Sequence, residues 1–161
     1  VIGVKLFAMG LRISREEQQM CLALAQPFWL QTSFVNDYHS FDREMQSTGG
    51  LGKGVLKNAI WVLMTKHSMT LEEAKSVCRE KAREYAAEYL RVLDGVRARD
   101  DLCKDAKFLL ETLQLSMPGH IVWSRRCPRY HGNRALTPAQ FEMSKEIAAD
   151  ETTGWAPRRP V

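Results

Sequence analysis

QPFWLQTSFVNDYHSFDRE, residues 26–44, changes character midway: its first ten residues are apolar and aromatic, and its last nine carry Asn36, Ser40 and Glu44 at intervals of four. With no turn signal between the two halves, the spacing predicts one helix from Phe28 to about Gln46. Side chains at i, i+4 and i+8 then share one narrow stripe. Trp29 and Ser33 precede Asn36 by seven and three residues on roughly the same face, so the stripe is expected to point inward. An amide oxygen, a hydroxyl and a carboxylate are hard donors with one negative charge among them. That set suits Mg²⁺, which keeps several waters and completes its shell with phosphate oxygens. On spacing alone, a solvated helix face accounts for the same three residues.

The periodicity on either side is also helical. VIGVKLFAMGL (1–11) is a short apolar helix that breaks near Gly10. Ser14 and Glu17 form a capping box that opens a helix turning Met20, Cys21, Leu24 and Ala25 inward, and Pro27 kinks or restarts it. STGGLGKG (47–54) reads as a loop; Gly54 follows Lys53 where a Walker phosphate cradle needs Ser or Thr. NAIWVLMTKH (58–67) is a buried helix. Thr70 and Glu73 repeat the capping-box signature before a long amphipathic helix to about Val96, with Val77, Cys78, Ala82, Tyr85, Tyr89 and Val92 inward. DDLCKDAKFLLETLQL (100–115) and LSMPGHIVWSRRC (115–127) follow as two helices, the second expected to break at Pro118 and Gly119. Asp100, Asp101 and Asp105 resemble an aspartate-rich metal motif, but acidic residues in a first turn also oppose the helix dipole. Thr137, Pro138 and Gln140 could cap one more short helix, FEMSKEIAAD, before a tail that reads as disordered.

The 161 residues provide for one domain with a real core. The net charge of +4, from 23 basic and 19 acidic residues, is dispersed except for a C-terminal arginine group, and so excludes a strong argument for nucleic acid. Cys21, Cys78, Cys103 and Cys127 are far apart, with no CxxC pair and no secretory signal, which predicts reduced thiols and a cytoplasmic setting. No apolar run reaches the roughly 20 residues of a membrane span. Residue 1 is valine, and the chain reads as a piece of a longer soluble protein.

A second constellation stands in WSRRCPRYH (123–131), where Trp123 precedes the pair Arg129 and Tyr130, with Pro128 stopping the helix just before them. A guanidinium fork grips phosphate oxygens in two places and a phenol adds a third bond. By itself the group equally fits a basic cluster at a helix end.

In this order on a helical chain, NDYHSFDRE matches the NDxxSxxxE metal motif of class I terpene cyclases and CPRYH matches their RY motif. With PFW before the first motif, NAIWVLM in the next helix and W-x5-RYH at the end, residues 5–145 resemble the cyclase domain of fungal bifunctional synthases of the fusicoccadiene and ophiobolin type. The resemblance implies an all-α class I terpenoid synthase bundle, its C-terminal half of about six helices, over residues 1–145, with 146–161 as tail or linker. It implies Mg²⁺ at Asn36, Ser40 and Glu44, one ion of three in the complete enzyme, and diphosphate contacts from Arg43, Arg129 and Tyr130. Trp29, Ser33 and Trp123 would line the substrate pocket. No catalytic residues are expected beyond these ligands. The implied reaction is ionisation of a linear polyprenyl diphosphate, geranylgeranyl or geranylfarnesyl, followed by carbocation cyclisation; the rival reading is a non-catalytic helical remnant.

The family pattern also needs a DDxxD-type motif on an earlier helix, and none precedes Asn36. The expectation is therefore that the N-terminal half of the cyclase domain lies outside this sequence, as does any fused prenyltransferase domain, and that the fragment alone is inactive. His120 stands where close relatives tend to have Asn. Expected partners are the polyprenyl diphosphate and the remainder of the domain, without nucleic acid or membrane span, and with the oligomeric state open.

Overall fold

The computed structural model describes residues 2–47 and 57–131. Among the described residues every regular element is a helix: α1 (Ile2–Met9), α2 (Arg15–Leu24), α3 (Gln26–Ser47), α4 (Ala59–His67), α5 (Leu71–Arg97), α6 (Lys104–Arg126) and the single turn α7 (Pro128–His131). This is the all-α architecture expected, six substantial helices and one short one. Residues 48–54 of the glycine-bearing loop, the segment FEMSKEIAAD and the tail 146–161 lie outside the described residues.

Local chemistry sets most of the boundaries. α1 ends at Gly10, whose φ of +64° is a conformation that side chains disfavour. Ser14 Oγ accepts from the Glu17 amide at 3.1 Å while Glu17 Oε2 accepts from the Ser14 amide at 3.2 Å, which completes the first capping box. Pro27 is the second residue of α3, where a missing amide donor is harmless, so proline restarts the helix rather than kinking it. Thr70 and Glu73 exchange the same pair of bonds at the start of α5.

The expected break at Pro118 does not occur. The two helices anticipated over 100–127 are one, α6, running through Pro118 and starting at Lys104, with Asp100 and Asp101 ahead of it. Buried side chains on both sides of the proline, Leu113, Met117 and Ser124, hold the helix together where one backbone bond is missing.

The chain divides into two compact units, Val1–Ser33 with Lys81–Met117, and Phe34–Glu80 with Pro118–Val161. The first is built on Cys21, Ala25, Phe28, Tyr89, Leu93, Val96 and the fully buried Leu109, Leu110 and Leu113. Each such leucine contributes about 1.5–3 kcal/mol by leaving water. Tyr89 keeps its polar tip satisfied by donating to the Leu110 carbonyl at 2.7 Å. Acidic side chains cover loose amides in this unit: Asp105 Oδ2 accepts from the Arg12 amide at 2.8 Å and Glu17 Oε1 from the Cys103 amide at 2.6 Å. Asp101 pairs with Arg99. Asp101 and Asp105 are thus engaged in structural bonds.

The second unit packs α3 from Phe34 onward with α4, the start of α5 and the end of α6. Its core is Phe41, Ile60, Ala74 and Cys78, with Phe34, Tyr38, Trp61 and Met64 around it. All four cysteines of the chain are unbridged. Burial pushes the Cys21 and Cys78 thiols up to about 11, so both remain protonated and behave as small apolar groups. Among the described residues no helix is long and apolar enough to cross a membrane.

Candidate metal and diphosphate site

The polar stripe of α3 belongs to the second unit. Asn36 is half-buried and its Nδ2 donates to the Tyr130 hydroxyl at 2.6 Å, a bond between residues 94 apart in sequence. Ser40 is 1% exposed, and its Oγ has no hydrogen-bond partner. Glu44, one turn beyond Ser40, is half-buried, and its Oε2 accepts from Asn58 Nδ2 at 3.0 Å. A buried hydroxyl without a partner costs about 1–3 kcal/mol. Lying between an amide and a carboxylate on the same stripe, it is a donor lacking its acceptor or cation. Ser40, with the hard oxygen character of its two neighbours, therefore fits the divalent-ion role that the spacing suggested.

Asn58 was not singled out by its sequence position, and neither was Asp37. Asn58 caps α4: its Oδ1 accepts from the Ile60 amide at 2.9 Å. Its Nδ2 donates to the Asp37 carbonyl at 2.9 Å as well as to Glu44. Asp37 Oδ2 accepts from the Ala59 amide at 2.7 Å, so α3 and the N-terminus of α4 are tied by side chains from both sides. Burial raises the Asp37 carboxyl above its usual range, the Ala59 bond opposes this, and the charge of Glu44 adds to the rise. The sequence signal available was an N-cap residue immediately before an apolar helix.

The Arg-Tyr pair sits in α7, which local bonds fasten to the end of α6. The Cys127 amide donates to the Trp123 carbonyl at 2.8 Å, the Tyr130 amide to the Cys127 carbonyl at 3.0 Å, and the His131 Nε2–H to the Ser124 carbonyl at 2.9 Å. Trp123, 49% exposed, meets the Tyr130 ring edge-on at 5.5 Å between centroids and stacks beside His120 at 6.2 Å. Burial raises the Tyr130 phenol, partly offset by Arg129, while Glu44 raises it further; Tyr130 therefore stays a neutral donor near pH 7. His39, beside His131, is pushed down to about 4 by burial first and by the charge of Arg125 next, and is neutral there too.

The anticipated residues are thus distributed unequally. Asn36 and Tyr130 meet, Trp123 touches Tyr130, and Ser40 and Glu44 share the Asn36 face of α3. Arg43 is half-buried on α3, and Arg129 is exposed on α7. Trp29 and Ser33 fall in the first unit, where Ser33 Oγ donates to the Trp29 carbonyl at 2.9 Å and Trp29 Nε1 is buried without a partner.

Comparison with known proteins identifies the family. Residues 1–88 match the family model described as terpene synthase family 2, C-terminal metal binding. The chain is 38% identical over 143 residues to a bifunctional sesterterpene synthase of Aspergillus aculeatus, covering 89% of this chain and 20% of the relative. It is 31% identical over 144 residues to fusicoccadiene synthase of Phomopsis amygdali, again covering 89% of this chain and 20% of the relative. To ophiobolin F synthase of Aspergillus clavatus it is 28% identical over 154 residues, 96% of this chain and 21% of the relative. The chain thus spans about a fifth of the length of these curated relatives. With more than half of its residues matched by the family model, and with the resemblance seen in its two motifs upheld, the chain belongs to the terpene synthase family 2 C-terminal metal-binding family.

Proposed function

We propose that this chain supplies the Asn-Ser-Glu metal side and the Arg-Tyr diphosphate side of the ionisation site of a terpene cyclase. The observation that carries the reading is the 2.6 Å bond between Asn36 and Tyr130, one residue from each motif. Asn36, Ser40 and Glu44 would hold one Mg²⁺, of three in the complete enzyme. When bound, Mg²⁺ supplies positive charge that stabilises the departing diphosphate.

The chain's own side chains do the rest by position and charge. Tyr130 is a neutral donor toward a diphosphate oxygen, and Arg43 and Arg129 offer planar forks of donors to the same anion. Such preorganised donors stabilise negative charge as it develops on the leaving group. The face of Trp123 can stabilise an allylic cation through its quadrupole, and exclusion of water delays its capture. The substrate class is a linear polyprenyl diphosphate of C20 or C25 length and the product a cyclic hydrocarbon. Similarity to proteins named as diterpene and sesterterpene synthases supports those lengths. The activity is proposed for a cytoplasmic protein containing the complete cyclase domain, and similarity to proteins named as bifunctional supports a second, fused activity such as prenyl transfer.

Asn36→Ala and Glu44→Ala in that protein test the reading. Each is expected to eliminate Mg²⁺-dependent diphosphate release, followed by a colorimetric phosphate assay after pyrophosphatase. Unchanged turnover in both would overturn the assignment.

A further inference from the structure

We propose that Asn58 is a positioning residue for the metal-binding carboxylate of Glu44, an inference that rests on the metal reading of the stripe. Asn58 is 2% exposed and uses its whole side chain. Oδ1 takes the Ile60 amide at 2.9 Å, and the two hydrogens of Nδ2 go to the Asp37 carbonyl at 2.9 Å and Glu44 Oε2 at 3.0 Å. A helix cap needs only an acceptor, so Ser, Thr or Asp would serve α4 as well. The two donors, both directed at α3, are what asparagine adds.

Their effect falls on a flexible side chain. Glu44 sits on the third turn of the stripe, and each bond to its carboxylate narrows the rotamers it samples. The Asn58 bond holds Oε2 from the α4 side. A carboxylate has about four acceptor positions, so one such bond is compatible with coordination of a cation elsewhere on the group. The donor is also neutral. An Arg or Lys in its place would hold Glu44 more strongly but would repel the incoming ion, whereas an amide orients the ligand and leaves its charge intact. Because Asn58 is itself fixed by the Asp37 carbonyl and the α4 amide, the orientation is inherited from the backbone of two helices.

The test uses the complete cyclase domain and titrates Mg²⁺ calorimetrically in the presence of inorganic diphosphate. Asn58→Ser keeps a capping hydroxyl and removes the amide. It is expected to weaken Mg²⁺ binding ten- to hundredfold, as loss of a group orienting a metal ligand typically does, while the metal-free protein still unfolds in one cooperative transition at a melting temperature lowered only by the two lost hydrogen bonds. In a Glu44→Gln background the same substitution should weaken binding no further. Should Asn58→Ser fail to fold, Asn58→Thr provides the same comparison. Wild-type affinity in the Asn58 variant together with weak binding by Glu44→Gln overturns the positioning role alone. Equal losses in both backgrounds also overturn it, as the mark of a general structural defect. Full affinity in Glu44→Gln overturns the metal reading as well.

Discussion

Asn36 gives its amide hydrogen to the Tyr130 hydroxyl at 2.6 Å, and this fixes what each group can do next. A phenol that accepts one hydrogen bond still has its own proton to donate, and an Asn whose nitrogen faces the phenol has its carbonyl oxygen at the other end of the amide. The bond therefore orients a donor suited to an anion and an acceptor suited to a cation. Tyr130→Phe deletes the donor and keeps the ring against Trp123. A hydrogen bond to a charged group contributes about 1.5–3 kcal/mol, so affinity for inorganic diphosphate with Mg²⁺ should fall roughly ten- to hundredfold. Calorimetric titration measures this directly, and an unchanged affinity would remove Tyr130 from the diphosphate contacts.

Pro118 offers a test of how α6 is held. Proline has no amide hydrogen for the Gln114 carbonyl, and its ring crowds that carbonyl in a helix interior. Pro118→Ala restores the bond, and it should raise stability by up to about 3 kcal/mol, seen as a higher denaturant midpoint. A lower midpoint would mean that the neighbouring side chains are fitted to a bend at proline.

Helix ends elsewhere were legible in the sequence, while the continuity of α6 was not. Both capping boxes were legible because all their bonds span three residues, and Gly10 was legible because only its own φ is involved. In α6, local preference at Pro118 is outweighed by burial of Leu113, Met117 and Ser124, and that burial is tertiary. The metal stripe could be proposed from spacing within α3. The bond of Asn36 to Tyr130 was not legible, because it joins residues 94 apart and depends on tertiary packing. Asn58 was missed as a partner of Glu44 because a cap residue announces only its acceptor; where its two hydrogens go depends on the packing of α4 against α3.

Glu17 makes the acid stability of the first unit measurable. The Cys103 amide is the largest cause, with Ser14 assisting, that lowers its carboxyl from 4.5 to about 2. A folded-state value below the unfolded one means that the unfolded chain binds the proton first as pH falls. The stabilisation is complete above about pH 4.5 and is lost on descending toward about pH 2. Glu17→Gln should thus melt below the parent at neutral pH, with the gap closing between pH 4.5 and 2. Thermal melts across that range check the sign; a gap independent of pH would show that charge on Glu17 is irrelevant.

Ser40 should separate stability from binding most sharply. Its hydroxyl is buried at 1% exposure and unpartnered, so in the metal-free protein it is a polar group withdrawn from water without return. Ser40→Ala removes that oxygen at nearly constant shape and adds helix propensity worth about 0.5 kcal/mol. Relief of the unpaired hydroxyl adds about 1 kcal/mol or more, so the metal-free variant should unfold at a higher denaturant concentration than the parent. With Mg²⁺ and inorganic diphosphate present the order should narrow or reverse, since a ligand stabilises the state it binds in proportion to its affinity and the variant has lost one donor. Chemical denaturation with and without Mg²⁺ and diphosphate reads both effects on one protein. Equal stabilisation of both proteins by the ligands would mean that Ser40 is an ordinary buried hydroxyl and that the α3 stripe binds its ion without it.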